Sequence, residues 1–215
     1  MTSKRSNAGL DALRAHLLEH SIRRGTFVLK SGKTSDWFID SKQTVCRPEA
    51  MLLVADAVLD LIPAEATAIG GLTMGADPVA FVTAAIAASR GRPLRAFSVR
   101  KETKDHGGGG RIAGALDPGD KVVVTEDTVT RGTSLLEAAK VVREAGAEPV
   151  LLLAVVDRGG HGEGDGGRPG PGVPGRPQRA GPRVPLRERR VTPPLQCVVP
   201  HPLNPLRRPG SEKGF

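Results

Sequence analysis

The sequence contains no tyrosine, and aromatic residues occupy only 3% of its 215 positions. Proteins that bind single-stranded nucleic acid stack bases on aromatic side chains, so this scarcity argues against such a role. Long hydrophobic runs are also missing, because none reaches the roughly 18 residues that a membrane-spanning helix needs. We therefore expect no nucleic-acid partner and no membrane association.

Cysteine is scarce as well, with Cys46 and Cys197 as its two occurrences. They lie far apart and show no metal-ligand spacing, so a disulfide framework is not expected. The N-terminal residues are polar where a signal peptide carries its apolar stretch. These features together predict a cytoplasmic protein.

Composition and charge both change near Arg158. Residues 159–215 contain 12 Gly, 12 Pro and 9 Arg, and they hold ten Lys and Arg against four Asp and Glu. That surplus of +6 leaves only +2 of the net +8 to residues 1–158. Proline removes backbone donors and glycine raises the entropy cost of ordering, so this tail is expected to be mostly disordered. The sequence thus divides into a folded domain, 1–158, and a tail, 159–215.

Hydrophobic periodicity in residues 1–158 alternates between helical and strand patterns. Helices are predicted at 10–22, 49–62, 77–89 and 134–146, and strands at 27–32, 36–42, 66–71, 94–100, 121–127 and 149–158. The longer strands are apolar throughout, which is typical of a parallel sheet covered by helices on both faces. Ligands bind beyond the C-terminal ends of such strands, so four segments are expected to meet at one edge: 70–75, 100–110, 126–134 and 157–158.

The segment VVVTEDTVTRGTS, residues 122–134, predicts a site with two different halves. Its turn, TRGTS, opens a helix, so backbone amides and hydroxyl groups can hold a phosphate. Glu126 and Asp127 would repel that phosphate and instead suit the hydroxyls of a sugar, or a metal that bridges sugar and phosphate. The combination fits a ribose 5-phosphate. The structural alternative is a capped helix after a strand that ends in acids.

A second segment, residues 99–114, places Arg100, Lys101, Lys104 and His106 before four consecutive glycines. Cations on a flexible loop suit a lid that closes over a polyanion, and the alternative is a solvated loop with incidental charge.

Two further segments are weaker evidence when read alone. Trp37 and Phe38 are more often core residues than a platform for a ligand. Gly70 and Gly71 either leave room for a ligand against the backbone or form a glycine turn into a helix.

These segments together resemble a known family. Residues 122–134 match the phosphoribosyl diphosphate (PRPP) motif of type I phosphoribosyltransferases, which has a hydrophobic run, two acids, and then Thr, Gly and Thr or Ser at fixed spacing. The loop RKxxKDHGxGG, the stretch FVLKSGKTSDWF and the pair Asp157-Arg158 are similar to those of orotate phosphoribosyltransferases in particular. The resemblance covers roughly residues 10–160. It implies an α/β fold with a central parallel sheet flanked by helices and a small N-terminal hood at about 1–45.

The resemblance also implies an activity and its residues. The family transfers ribose 5-phosphate from PRPP to orotate, which gives orotidine 5′-phosphate and diphosphate in UMP biosynthesis. The implied catalytic residues are Lys101, Lys104, His106 and Asp127, with Lys104 and His106 acting on the diphosphate and Lys101 reaching a neighbouring subunit. The implied substrate-binding residues are Lys30, Trp37, Phe38, Met74, Gly75, Arg100, Lys101, Lys104, His106, Glu126, Asp127, Thr128, Val129, Thr130, Arg131, Gly132, Thr133, Ser134 and Arg158.

By the same resemblance, the cofactor is Mg²⁺, held mainly through PRPP near Asp127, and the assembly is a homodimer with a shared active site. Within this pattern, Phe38 and Trp37 border the pyrimidine ring and Arg158 pairs with the orotate carboxylate. Met74 and Gly75 stand where many members have Tyr-Lys, so these two are carried over by backbone position only.

The tail departs from the family, whose members continue with a helix, a strand and a closing helix. A reading-frame shift near Gly160 and a genuine extension are both open interpretations. Three functional alternatives also stay open: an inactive variant with an altered C-terminus, a PRPP-binding regulatory protein, and a phosphoribosyltransferase for another base. The last of these would lack the RKxxKDH loop and the Trp-Phe pair.

Overall fold

The computed structural model describes residues 7–28, 32, 34–103, 110–158 and 196–200. The N-terminal elements, called the hood below, are α1 (Asn7–His16), a π-helical turn (Leu17–Ser21), β1 (Ile22–Val28), β2 (Thr34–Ile39) and α2 (Lys42–Val45). The elements that follow are α3 (Pro48–Leu59), β3 (Ala68–Leu72), α4 (Ala76–Ser89), β4 (Arg95–Val99), β5 (Ile112–Gly114), β6 (Lys121–Val129), α5 (Thr133–Glu144), β7 (Glu148–Asp157) and β8 (Gln196–Pro200).

The main sheet has the strand order β5-β4-β3-β6-β7-β8. Its four inner strands, β4, β3, β6 and β7, pair in parallel, as the apolar strand patterns predict. Their C-terminal ends therefore share one edge, which confirms the expected convergence for the segments at 70–75, 126–134 and 157–158. Residues 104–109 of the fourth segment lie outside the described part of the chain. The sheet is not parallel throughout, because β5 and β8 pair antiparallel at its two borders.

Neither border strand was predicted from the sequence. β5 has only three residues, which is too few for a periodic pattern. β8 lies in the tail, where no strand was expected, and this part of the expectation is wrong. The short run QCVVP pairs with β7, so it extends the sheet beyond β7. The other tail residues lie outside the described part of the chain.

Helices cover both faces of the sheet because successive strand residues point to opposite sides. In β6, Val123 packs in the cluster formed with α1, α3 and α4, whereas Val122 and Val124 pack in the cluster formed with α5. Leu13 and Leu17 of the hood are fully buried in the first cluster. The hood is thereby attached to the body of the protein by a common core.

The hairpin of β1 and β2 is antiparallel, with Arg23 opposite Phe38 and Phe27 opposite Ser35. No helix within the described ranges has both the length and the apolar character that a bilayer crossing requires.

Candidate active site

The acidic pair lies inside β6, as the predicted strand at 121–127 implies. The observed strand is two residues longer than predicted, because the ladder with β7 continues to Val129, which pairs with Asp157. Glu126 and Asp127 are consequently buried, with 7% and 5% of their surface exposed. A sheet position holds both carboxylates more rigidly than a loop would.

A cavity of about 820 Å³ opens next to this strand end. It joins the loop after β6 to the last parallel strand and to the hood hairpin, which are far apart in the sequence. Its lining residues are Arg23, Phe27, Val28, Phe38, Glu126, Thr128, Val129, Thr130, Arg131, Gly132, Thr133, Ser134, Leu135 and Arg158. The cavity therefore brings together most of the predicted substrate-binding residues.

The turn at one end of the cavity depends on Gly132. This residue has φ +75° and ψ 5°, a left-handed conformation that is costly for residues with a Cβ. α5 begins directly after it at Thr133. The amides of the first helical turn have no partners within the helix, and they carry the positive end of the helix dipole. An anion is favoured at this end of the cavity.

Arg158 lies at the other end. Its backbone N–H donates to the carbonyl oxygen of Val129 at 3.0 Å, which fixes it beside the strand end. Its guanidinium carbon lies 4.9 Å from the centre of the Trp37 ring, within range of a cation–π contact. The Nε atom of Arg158 is buried and has no hydrogen-bond partner among the described residues. A fork of this kind suits a planar carboxylate.

The two predicted aromatic residues have different positions. Phe38 lines the cavity, is 38% exposed and has its ring centre 5.6 Å from that of Phe27. Trp37 does not line the cavity; it packs against the core on one side and supports the Arg158 guanidinium.

Asp127 is held by hood residues that the sequence analysis missed. Its Oδ2 atom accepts hydrogen bonds from Ser41 Oγ at 2.7 Å and from Lys42 Nζ at 2.8 Å. Its Oδ1 atom accepts one from the backbone N–H of Thr128 at 2.8 Å, and Thr128 Oγ1 donates to Ser41 Oγ at 2.8 Å. These contacts fasten the hood to β6.

Burial and mutual contact set the ionisation of the acidic pair. Burial raises the pKa of Glu126 to about 8, and the neighbouring Asp127 carboxylate adds to the rise. Burial acts in the same direction on Asp127, but hydrogen bonds from Glu126, Lys42 and Ser41 outweigh it and lower its pKa. Near neutral pH the pair therefore carries one negative charge, on Asp127.

The loop after β3 approaches these acids closely. A Cβ on Gly75 would lie 1.8 Å from Glu126 Oε1 and 2.6 Å from Asp127 Oδ1, so only glycine fits there. Gly70 and Gly71 differ from the expectation that they leave room for a ligand. Both lie inside β3, and a Cβ on either would meet the carbonyl oxygen of Phe97 or Thr125 at 2.4 or 2.1 Å. Their small size serves strand packing.

Several predicted residues do not line the cavity, and Asp127 and Gly75 are among them. Met74 is 66% exposed at the strand edge. Arg100 directs its guanidinium to the carbonyl oxygens of Gly110 and Ile112, at 3.4 and 3.3 Å, and Lys101 is exposed. Lys30, Lys104 and His106 lie outside the described residues.

The additional lining residues come mostly from β1, where Arg23, Phe27 and Val28 face the cavity. The predicted strand at 27–32 begins too late, because β1 runs from Ile22 to Val28, and the sequence therefore did not place Arg23 on a strand. The contact between Lys42 and Asp127 spans 85 positions of sequence, and no local pattern indicates it.

Comparison with known proteins gives this geometry a family. No protein-family model matches the chain. The orotate phosphoribosyltransferase of Rhodopirellula baltica is 36% identical over 165 residues, which are 74% of this chain and 86% of that protein. That of Streptomyces coelicolor is 45% identical over 157 residues, which are 73% of this chain and 86% of that protein. The crystal structure of the Mycobacterium tuberculosis orotate phosphoribosyltransferase in complex with PRPP is similar with a TM-score of 0.58 and 32% identity, covering 71% of this chain and 86% of that one.

The fold is that of a type I phosphoribosyltransferase: a mostly parallel sheet flanked by helices, with its cavity at the C-terminal strand edge. Within that class, the chain belongs to the orotate phosphoribosyltransferase family.

Proposed function

We propose that this chain transfers ribose 5-phosphate from PRPP to orotate, giving orotidine 5′-phosphate and diphosphate. The observation that carries the proposal is the shared cavity, in which the turn at Gly132, the Glu126 carboxyl group and Arg158 line one space of about 820 Å³. A sugar phosphate and a carboxylated base can meet there without either leaving its own binding groups. The regulatory alternative has no feature of the described residues in its favour.

The turn at residues 130–134 is the proposed site of the 5-phosphate of PRPP. The first-turn amides of α5 offer donors and a partial positive charge. Thr130, Thr133 and Ser134 line the same part of the cavity and offer hydroxyl groups. PRPP as the donor is supported by the Mycobacterium tuberculosis relative, whose structure is a complex with PRPP.

The ribose hydroxyls are proposed to bind at Glu126 and Asp127. An ionised Asp127 accepts hydrogen bonds from hydroxyl groups, and a protonated Glu126 both donates and accepts. Cleavage of the bond between C1 and the diphosphate oxygen builds positive charge on the ribose ring. The negative charge on Asp127 offsets part of it within a buried site.

Orotate is proposed to lie between Phe38 and Arg158. The flat ring stacks on the exposed face of Phe38, and the carboxylate pairs with the guanidinium fork. That pairing supplies the partner that Nε of Arg158 lacks among the described residues. The N1 atom of orotate then forms the new bond to C1 as the diphosphate leaves and the N1 proton is lost.

The diphosphate is proposed to leave between the loop at Met74 and Gly75 and the segment that begins at Arg100. The catalytic roles of Lys101, Lys104 and His106, and the contact of Lys30 with the phosphorylated sugar, stay predictions. Each would place a cation against a polyanion, where it stabilises the charge that develops on the leaving group.

A magnesium ion fits this site only if protein and substrate both supply its oxygen ligands. Among the described residues, no group of three or more His, Cys, Asp or Glu is arranged to hold a metal. Glu126 and Asp127 offer oxygen atoms at the strand end, so a Mg²⁺ ion near them would need further oxygens from PRPP and water. When bound, such an ion would neutralise charge on the diphosphate.

We also propose a homodimer with a shared active site and a cytoplasmic location. The charged phosphate esters of the reaction do not cross membranes, so the enzyme is best placed where its substrates are made and used.

The proposal is tested by measuring diphosphate release from PRPP by the purified full chain. Release is expected with orotate and Mg²⁺, and not with uracil, adenine or hypoxanthine. Release with a purine base but not with orotate would contradict the proposal, as would the lack of release with any base.

A further inference from the structure

A short turn of the hood makes contacts that the proposed reaction does not yet use. Ser41 and Lys42 lie between β2 and α2, and their side chains both bond Oδ2 of Asp127. Ser41 is 3% exposed, so its hydroxyl is committed to this contact. Lys42 keeps 42% of its side chain exposed while Asp127 keeps only 6%. The ion pair therefore joins a nearly buried acid to a cation at the rim of the hood.

The contacts account for most of the hydrogen-bonding capacity of Asp127. An ionised carboxylate has about four lone-pair positions. Three are used, by Ser41 and Lys42 on Oδ2 and by the Thr128 N–H on Oδ1. Glu126 donates a further hydrogen bond to this carboxylate, so the described residues supply partners for about four positions. The hood turn supplies two of these partners and thereby fixes how the carboxylate is oriented.

Ser41 also bridges two residues of the PRPP motif. It accepts a hydrogen bond from Thr128 Oγ1 and donates one to Asp127 Oδ2. Asp127 and Thr128 are thereby fixed relative to each other from the hood side, and not by β6 alone. A change in the turn would disturb both.

We propose that Ser41 and Lys42 are positioning residues for PRPP: their bonds to Oδ2 hold the Asp127 carboxylate in the orientation in which it meets a hydroxyl group of the ribose. The inference rests on the proposed function, since it concerns how the same site takes its sugar substrate. Without Lys42, a nearly buried carboxylate would lose its charge partner and one of the two bonds that fix Oδ2. The carboxylate could then rotate away from the position that the ribose needs.

The matched control is Lys121, which pairs with Glu148 at the opposite end of β6. Its side chain is 41% exposed, close to the 42% of Lys42, but its partner is exposed as well. Lys121→Met removes a surface ion pair, which is worth little. Lys42→Met is the same substitution, and it removes the same charge from the contact with Asp127.

The experiment compares wild type with Lys42→Met, Lys121→Met, Lys42→Arg and Ser41→Ala. PRPP binding is measured by isothermal titration calorimetry, and KM for PRPP and for orotate by steady-state kinetics. We expect Lys42→Met to weaken PRPP binding by about 10- to 100-fold, the size of a lost charge-assisted hydrogen bond. KM for orotate should change much less. Lys42→Arg should recover most of the affinity, Ser41→Ala should lose about 3- to 10-fold, and Lys121→Met should equal wild type.

Three results would overturn the inference. One is PRPP affinity within about twofold of wild type in folded Lys42→Met. Another is an equal loss for PRPP and orotate together with a lower melting temperature, which would show a role in folding only. The third, for use where Lys42→Met does not fold, is unchanged PRPP affinity in Ser41→Ala. Failure of the proposed function itself is distinguishable, because wild type would then release no diphosphate with orotate.

Discussion

The guanidinium carbon of Arg158 lies 4.9 Å from the centre of the Trp37 ring, so the hood and the last parallel strand meet at one end of the cavity. Trp37 is the sole tryptophan of the sequence. Its fluorescence therefore reports on one defined place, directly beneath the proposed carboxylate site. This contact allows ligand binding to be followed without a label.

Replacing Arg158 tests the proposed orotate carboxylate site. Arg158→Ala should raise KM for orotate by about 10- to 100-fold, because a charge-assisted hydrogen bond to a carboxylate is lost. KM for PRPP should change little. The control is Arg90→Ala, which removes an exposed pair with Asp56. Equal KM values for orotate in wild type and Arg158→Ala would contradict the assignment.

Phe38 tests the stacking surface. Phe38→Ala should raise KM for orotate about fivefold or more, since stacking on an aromatic ring contributes about 1–3 kcal/mol per base. The change in Trp37 fluorescence on orotate addition should need correspondingly more ligand. Phe81→Ala is the control, because Phe81 is similarly exposed but lies on α4, away from the cavity lining. A larger effect in Phe81→Ala would rule out Phe38 as the platform.

Gly132 tests the phosphate turn. Gly132→Ala should lower stability by about 1–2 kcal/mol, because a Cβ is strained at φ +75°. Gly91→Ala provides the same backbone strain, at φ +78°, with open space around the added Cβ. Both variants should lose similar stability in urea unfolding, whereas only Gly132→Ala should raise KM for PRPP, by about tenfold. Equal KM values for PRPP in the two variants would show that the turn at Gly132 does not bind the phosphate.

The buried acids make stability depend on pH. The ordinary pKa of Glu126 is 4.5, and in the folded protein it is about 8. Between these values the folded state holds a proton that the unfolded chain has lost, so the free energy of unfolding falls as pH rises. Asp127, whose pKa is lowered from 3.8, acts in the opposite sense only in more acidic solution.

Glu126→Gln should therefore flatten this dependence, because a neutral amide replaces the titrating group. Urea unfolding from about pH 5 to about pH 8 measures the slope for both proteins. Identical slopes would mean that Glu126 does not hold its proton in the folded state.

The part of the site that could be predicted from the sequence lies in one continuous segment. Glu126 through Ser134 carry their chemistry in one segment, and the parallel strands bring Arg158 to the same edge. The contacts of Trp37 and Lys42 could not be predicted in this way. Their partners are distant in sequence, so the support of Arg158 by Trp37 and the bond from Lys42 to Asp127 follow only from the packing of the hood.

Glycine was ambiguous for a related physical reason. Gly132 needs a left-handed backbone and Gly75 a close approach to two carboxyl groups, and both lie at the site. Gly70 is small because Phe97 of the neighbouring strand leaves no room. Glycine is thus required for three different physical reasons at these positions, and the sequence does not show which reason applies. β5 and β8 were missed because short antiparallel border strands carry little periodicity.

The central claim is that sugar phosphate and base share one cavity. Orotidine 5′-phosphate spans both halves, so its binding should change the fluorescence of Trp37 and should be displaced competitively by PRPP. A single set of sites with competitive displacement is the predicted result. Simultaneous, independent binding of PRPP and orotidine 5′-phosphate would contradict the account.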